Sequence, residues 1–245
     1  MTVRLGVRPQ NKNMAKRPLL LLTGILCDRT VWRHQIADLA DIAEPIVPDY
    51  RHEKTLAAMA VKARDYAPQT FAVAGHSMGA RVALEMFRLA PERISHIALL
   101  DTSVTPVAPG EPEKRMASLE TVRNEGMEAL VRDWLPPMVY EDFHDDAAIM
   151  EPMREMVRSM SPAIYAGQIN AMLTRPEEAS LLPKIACPAL VLCGRHDAWR
   201  TPEQHEERAY DIPGVVFEII EGCGHMAPFE KPAPVTAALR RWLAR

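Results

Sequence analysis

The segment from Phe71 to Phe87 constrains the fold most, because its periodicity changes from strand-like to helix-like around one serine. An apolar run is followed by GHSMG at residues 75–79 and then by a helical pattern. Glycines two residues before and after Ser77 allow a turn so tight that larger side chains would collide with the adjoining strand or helix. The pattern therefore predicts a strand, a sharp turn and a helix, with Ser77 raised clear of a sheet.

Short apolar runs alternate with helical patterns along most of the chain. The predicted strands are 18–22, 46–47, 71–74, 94–100, 190–193 and 215–220, and the helical patterns between and after them include 56–66 and 234–244. Such alternation predicts an α/β fold, in which a mostly parallel sheet carries helices on both faces.

The alternation stops between residues 105 and 182, where only helical periods occur. They predict helices over 113–124, 127–134, 147–160 and 162–173. We therefore expect a flexible tail over residues 1–16, an α/β core over 17–105 and 183–245, and a helical insertion over 106–182.

Composition narrows the classes of partner. The chain has 48% hydrophobic residues and a formal net charge of -3, with no basic stripe, so nucleic acid and membrane surfaces are not expected partners. Small molecules are the default ligands. The four cysteines have no CxxC spacing, which favours reduced thiols and a cytoplasmic protein over disulfides or a zinc site. The sequence does not indicate an oligomeric state.

The serine hydroxyl needs a histidine base and an acid to become a nucleophile. His225 lies in a small-residue loop after the last predicted strand, and Asp197 follows the strand 190–193. The order Ser77, Asp197, His225 is the one expected for a nucleophile on this type of strand and turn. Asp101 also follows a strand and is the alternative acid, although it could instead cap the turn there.

Two backbone N–H groups are candidates for stabilising an oxyanion beside Ser77. Met78 begins the predicted helix, where N–H groups have no partner within the helix. The second donor is expected from Ile25, in the loop after the first strand, where Gly24 permits a sharp turn. The alternative for that loop is an ordinary tight turn. His76 is expected to support the turn by packing or hydrogen bonding.

These features together resemble the α/β-hydrolase superfamily over residues 18–105 and 183–245. The motifs that carry the resemblance are Thr23-Gly24 with Trp32, GHSMG at 75–79, GRHD at 194–197, and Gly224-His225 followed by Glu230-Lys231-Pro232. Many members have histidine where Thr23 stands. The resemblance implies an α/β-hydrolase fold, with the insertion 106–182 as a helical cap that supplies the substrate pocket.

The sequence favours a serine hydrolase of carboxylic esters, including lactones and thioesters, that uses no cofactor and no metal. One alternative is hydrolysis of a carbon–carbon bond in a diketone-like substrate, and another is a non-catalytic ligand-binding member of the same fold. Carbon–carbon cleavage calls for extra groups that recognise a carboxylate or enol. Arg81, Arg195 and Arg200 are candidates for that role, but we expect each to be solvated at a helix surface or in a loop.

Overall fold

The computed structural model describes residues 16–245, so residues 1–15 of the expected tail lie outside it. Within the described range the strands form one sheet in the order β2-β1-β3-β4-β5-β6, and every neighbouring pair is parallel. The strands are β1 Arg17–Leu22, β2 Ala43–Ile46, β3 Phe71–His76, β4 Ile94–Leu100, β5 Ala189–Gly194 and β6 Val216–Ile220. The predicted α/β architecture with a parallel sheet is confirmed.

Two groups of helices cover the sheet. The helices are α1 Arg33–Asp38, α2 Leu56–Arg64, α3 Met78–Leu89, α4 Glu111–Glu125, α5 Glu128–Asp133, α6 Ala147–Arg158, α7 Pro162–Leu173, α8 Pro202–Ala209, α9 Ala227–Glu230 and α10 Pro232–Leu243. Helices α2 and α3 pack together, and α3 contacts β1, β3 and β4. Helices α1, α9 and α10 form the other group, in which α10 contacts β4, β5 and β6.

Burial explains which strands the sequence located well. All six residues of β3 are buried, as are the four leucines 19–22 of β1, and continuous apolar runs of this kind are typical of central parallel strands. The sequence pattern predicts the edge strand β2 at 46–47, whereas in the structure β2 begins at Ala43 and contains Pro45. Proline cannot donate a hydrogen bond to a neighbouring strand and is tolerated at a sheet edge, which is why the pattern of β2 is weak.

Helices α4 to α7 lie between β4 and β5, in the stretch predicted to be helical. Helix α4 packs on α7 and α5 packs on α6, while α6 also contacts the short 3₁₀ turn Arg29–Trp32 that follows β1. Because the sheet is parallel, the loops after β1, β3, β5 and β6 emerge at one edge. No helix among residues 16–245 is both long and apolar enough to cross a lipid bilayer.

Candidate active site

Ser77 occupies a strained turn between β3 and α3. Its φ of 54° and ψ of -117° lie in a region that residues other than glycine rarely adopt. A Cβ at Gly75 would lie 2.3 Å from the Gly79 carbonyl oxygen, and a Cβ at Gly79 would lie 2.5 Å from that of Leu22. Both glycines are therefore required by the close approach of β1, β3 and α3. The Ser77 N–H donates to the Leu100 carbonyl at 2.8 Å, which fixes the turn to β4.

His225 lies in the loop after β6, within hydrogen-bonding distance of Ser77. The distance from His225 Nε2 to Ser77 Oγ is 2.8 Å. The His225 N–H donates to the Met138 carbonyl at 2.9 Å, and its own carbonyl accepts from His76 Nε2 at 2.8 Å. Both backbone groups of His225 are thus held, one by the helical stretch and one by the serine turn, so the ring position is well determined.

Asp197 lies in the loop after β5 and binds the other ring nitrogen of His225. The distance from Asp197 Oδ2 to His225 Nδ1 is 2.7 Å, and Asp197 Oδ1 accepts from the N–H groups of Trp199 and Arg200, each at 2.9 Å. Burial tends to raise the pKa of Asp197, but the charge and hydrogen bond of His225 outweigh it and hold that pKa below its usual value. Asp197 is therefore a stable carboxylate next to the imidazole.

Asp101, the alternative acid, has a different environment. It is fully buried with a φ of 50°, and its Oδ1 accepts from the Gly194 N–H at 3.1 Å. Burial and the nearby charge of Asp197 raise the pKa of Asp101 well above its usual value. Asp101 thus joins the ends of β4 and β5, while Asp197 is the acid that contacts His225.

The loop after β1 comes close to Ser77. A Cβ at Gly24 would lie 3.1 Å from the Ser77 Cβ, so a larger residue there would push the loop or the serine turn aside. The side chain of Gln168 in α7 accepts from the Leu26 N–H at 2.9 Å and so braces the loop from the helical stretch. Ile25 and Met78 line the same chamber as Ser77 and His225.

Gln168 and Glu230 support the site and were not predicted to do so. Glu230 Oε2 accepts from the N–H groups of Gly224 and Tyr140, and its Oε1 accepts from that of Met226, each at 2.9 Å. The buried carboxyl therefore holds both flanks of His225 and joins them to the helical stretch. For Glu230 the available signal was its place in the motif after His225. For Gln168 it was a polar side chain among the apolar residues of α7.

A small inner chamber of about 30 Å³ lies directly at Ser77. It adjoins an outer cavity of about 740 Å³, and the residues that line both are Arg115, Trp134, Trp199 and Arg200. Arg115 and Trp134 come from the helical stretch, whereas Trp199 and Arg200 follow Asp197. The two cavities therefore adjoin at these four side chains.

The solvated positions expected for Arg81 and Arg200 are wrong. Arg81 is 2% exposed and forms an ion pair with the buried Glu178, which lies just before β5. Arg200 is partly buried and lines both cavities. Arg195 is exposed, as expected, and pairs with Glu221 at 2.7 Å. Two of the three arginines therefore belong to the surroundings of the site.

Residues 16–245 include no group of three or more His, Cys, Asp or Glu side chains placed to hold a metal ion. The chemistry available at the chamber is that of a hydroxyl, an imidazole, a carboxylate and backbone N–H groups.

Comparison with known proteins identifies the family of this chain. A model of the alpha/beta hydrolase family matches residues 19–238. The chain belongs to the α/β-hydrolase family. A thermophilic esterase from Thermogutta terrifontis, solved with malate bound, superimposes on this chain with a TM-score of 0.86 at 32% sequence identity. The superposition covers 93% of this chain and 89% of the esterase chain.

More distant relatives show the same fold. The enol-lactonase of Burkholderia xenovorans LB400 has a TM-score of 0.85 at 22% identity, with 94% of this α/β hydrolase and 92% of the lactonase covered. A Haemophilus influenzae protein named "Putative esterase/lipase" is 23% identical over 171 residues, which cover 69% of this chain. This match spans 58% of the length of the Haemophilus influenzae protein, and the match to a second curated relative spans 60% of that relative's length.

Proposed function

We propose that this α/β hydrolase cleaves small-molecule carboxylic esters, including lactones and thioesters, through an acyl-enzyme on Ser77. The observation that carries the proposal is the continuous hydrogen-bonded chain from Ser77 Oγ to His225 Nε2 at 2.8 Å and from His225 Nδ1 to Asp197 Oδ2 at 2.7 Å. Similarity to an esterase at 32% identity supports the same reaction class. No cofactor takes part in the proposed reaction.

The acylation step follows from this geometry. His225 Nε2 takes the hydroxyl proton while Ser77 Oγ attacks the ester carbonyl, and Asp197 stabilises the imidazolium that forms. The N–H groups of Ile25 and Met78 donate to the oxyanion of the tetrahedral intermediate. Collapse of that intermediate breaks the bond to the leaving group, which receives the proton from His225.

The deacylation step repeats the same transfers with water. His225 removes a proton from water, and the hydroxide attacks the acyl carbon. The second tetrahedral intermediate then releases the carboxylic acid, and Ser77 Oγ regains a proton from His225. Since Asp197 keeps a lowered pKa, it remains ionised throughout the cycle.

We propose further that the stretch 106–182 acts as a cap on this site. The support is that Arg115, Trp134, Met138 and Met172 from this stretch line the inner chamber.

The four cysteines are free thiols, which supports a reducing compartment such as the cytoplasm.

Labelling with a fluorophosphonate probe and stopped-flow hydrolysis of 4-nitrophenyl butyrate test the proposal. Wild type and the surface control Ser180→Ala should be labelled and turn over the ester, whereas Ser77→Ala should lose both properties with its fold intact by circular dichroism. Labelling that persists in Ser77→Ala would overturn the proposal. Cleavage of a vinylogous diketone but of no ester, lactone or thioester would favour the carbon–carbon alternative, and ligand binding without labelling or turnover would favour a binding protein.

A further inference from the structure

Arginines outnumber carboxylates around the inner chamber. The guanidinium groups of Arg81, Arg115, Arg175 and Arg200 meet the carboxylates of Glu111, Glu178 and Asp197 in this region. Arg81 and Glu178 form a buried ion pair. The remaining three guanidinium groups lie near two carboxylates, one of which, Asp197, is bound to His225.

Glu111 is shared between two of these arginines. Its Oε2 lies 2.7 Å from Arg175 Nη2, and its Oε1 lies 2.8 Å from Arg115 Nε. Burial tends to raise the pKa of Glu111, but the hydrogen bonds from Arg175 and Arg115 lower it to about 2. Glu111 is therefore a permanent anion whose charge is already committed, chiefly to the buried side chain of Arg175.

Arg200 has no carboxylate partner among residues 16–245. Its Nη1 donates to the Trp199 carbonyl at 3.0 Å, and its backbone N–H donates to Asp197 Oδ1. The guanidinium is held in place close to the reacting groups while most of its donors stay free for a ligand. Arg200 shares the nearby charges of Glu111 and Asp197 with Arg175 and Arg115 and forms no ion pair of its own, so its position favours binding of a further anion.

Arg200 and Arg115 line both the inner chamber and the outer cavity. A substrate whose carbonyl lies at Ser77 and whose remainder extends outward must therefore pass these two side chains. Lys114 adds a further positive charge in the outer cavity, where Glu111 is the only lining carboxylate from residues 16–245. The edge-to-face pair Trp134–Trp199, with ring centroids 6.0 Å apart, supplies an apolar wall for the carbon chain.

We infer that the substrates of this enzyme are esters that carry an ionised carboxylate, bound by Arg200 with help from Arg115. The inference rests on the proposed ester hydrolysis and adds the substrate class. Guanidinium groups bind carboxylates through parallel charge-assisted hydrogen bonds, which a neutral substituent of the same shape cannot reproduce. The bound carboxylate would also fix the ester relative to Ser77.

Matched pairs of 4-nitrophenyl and benzyl esters test the charge directly. In one pair the acyl part ends in carboxylate or carboxamide, as in 4-nitrophenyl 4-carboxybutanoate and 4-nitrophenyl 4-carbamoylbutanoate. In the other pair the alcohol part differs, as in 4-carboxybenzyl and 4-carbamoylbenzyl butyrate. We expect kcat/KM for the charged member of at least one pair to exceed that of its amide about 10- to 100-fold, after subtraction of the enzyme-free rate.

Arginine variants assign the preference to the proposed side chains. Arg200→Gln should abolish most of the ratio between charged and amide esters, Arg200→Lys should keep part of it, and Arg115→Gln should have a smaller effect in the same direction. Arg123→Gln is the matched control, because Arg123 lies in the same helix as Arg115 but is 72% exposed and outside both cavities. The control should keep the wild-type ratio.

Failure of this inference and failure of the proposed function give different results. Equal or better hydrolysis of the amide esters in both pairs overturns the substrate class while leaving ester hydrolysis intact. A preference that survives in Arg200→Gln, with thermal unfolding unchanged, overturns the assignment to Arg200. Hydrolysis of no ester in either pair overturns the proposed function itself.

Discussion

The loops at the carboxyl edge of the sheet and the helices between β4 and β5 contribute to the candidate site in different ways. The sheet loops carry the hydrogen-bonded side chains of Ser77, His225 and Asp197. The helical stretch contributes mainly contacts that hold those loops, such as the Met138 carbonyl on His225 and Gln168 on the loop after β1. It also contributes Arg115 to the cavities.

The sheet loops thus carry the side chains proposed for the chemistry, and the helical stretch holds those loops in position. The residues proposed to react come from short loops on a rigid sheet, where strand ends fix their positions to within hydrogen-bonding distance. The helices can change more freely, because each supplies a supporting contact or a pocket wall. We therefore expect substitutions in the sheet loops to cost the most activity and substitutions in the helices to cost less.

The largest expected effect compares two carboxyls that follow neighbouring strands. Asp197→Asn should lower kcat about 10⁴-fold, because the amide cannot stabilise the imidazolium and favours the wrong tautomer of His225. Asp101→Asn should cost about tenfold or less, since Asp101 accepts from the Gly194 N–H, which an amide oxygen can replace, while the carboxylate that binds His225 is Asp197. Steady-state kinetics with 4-nitrophenyl butyrate measure both. The reverse order of effects would make Asp101 the working acid.

The sequence allowed prediction of the parts of the site that depend on local backbone constraints. The glycines at 75 and 79 predicted the turn at Ser77, because the close approach of strands and helix is encoded within five residues. The strand ends likewise located Asp197 and His225 at one edge. These features need no knowledge of distant contacts.

The features that could not be predicted are side chains whose partners lie far away in the sequence. Arg81 was expected at the surface, yet its partner Glu178 is 97 residues away and no local pattern joins them. Gln168 acts on Leu26 across 142 residues. An amphipathic helix pattern indicates which face is buried but not what a polar side chain on that face will contact.

The next prediction concerns Glu230, which joins the two regions. Glu230→Gln should lower kcat about 10- to 100-fold with little change in KM, because an amide cannot accept from all three backbone N–H groups around His225. Glu221→Gln is the control, since Glu221 is exposed. A matching rise in KM, or full activity with a lowered melting temperature, would show that Glu230 stabilises the fold without positioning His225.

A third prediction uses the buried His76 beneath the site. Burial, helped by the nearby His225, lowers its pKa to about 3, so between pH 3 and 6.5 the unfolded chain binds a proton that the folded chain does not. Above pH 6.5 this histidine does not lower the free energy of unfolding. Between pH 6.5 and 3 it lowers the free energy of unfolding by about 1.4 kcal/mol for each pH unit of acidification. Urea unfolding at pH 7, 5.5 and 4.5 should give a shallower loss for His76→Gln than for wild type or His52→Gln, where His52 is exposed. Equal slopes in all three proteins would contradict the prediction.

The smallest effect is expected in the helical stretch, at Gln168. Its Oε1 accepts from the Leu26 N–H at 2.9 Å and so fixes the loop that carries Ile25, the proposed oxyanion donor. Loss of one such hydrogen bond costs about 1 kcal/mol, so Gln168→Ala should lower kcat about fivefold. Gln168→Met keeps the side-chain volume without the carbonyl acceptor and should lose about as much as alanine, whereas a role in packing alone would let methionine recover most of the loss. Measuring kcat for both variants beside the neighbouring surface substitution Asn170→Ala decides between these outcomes. A loss in Gln168→Ala as large as that in Asp197→Asn would mean that the helices place the reacting groups as directly as the sheet does.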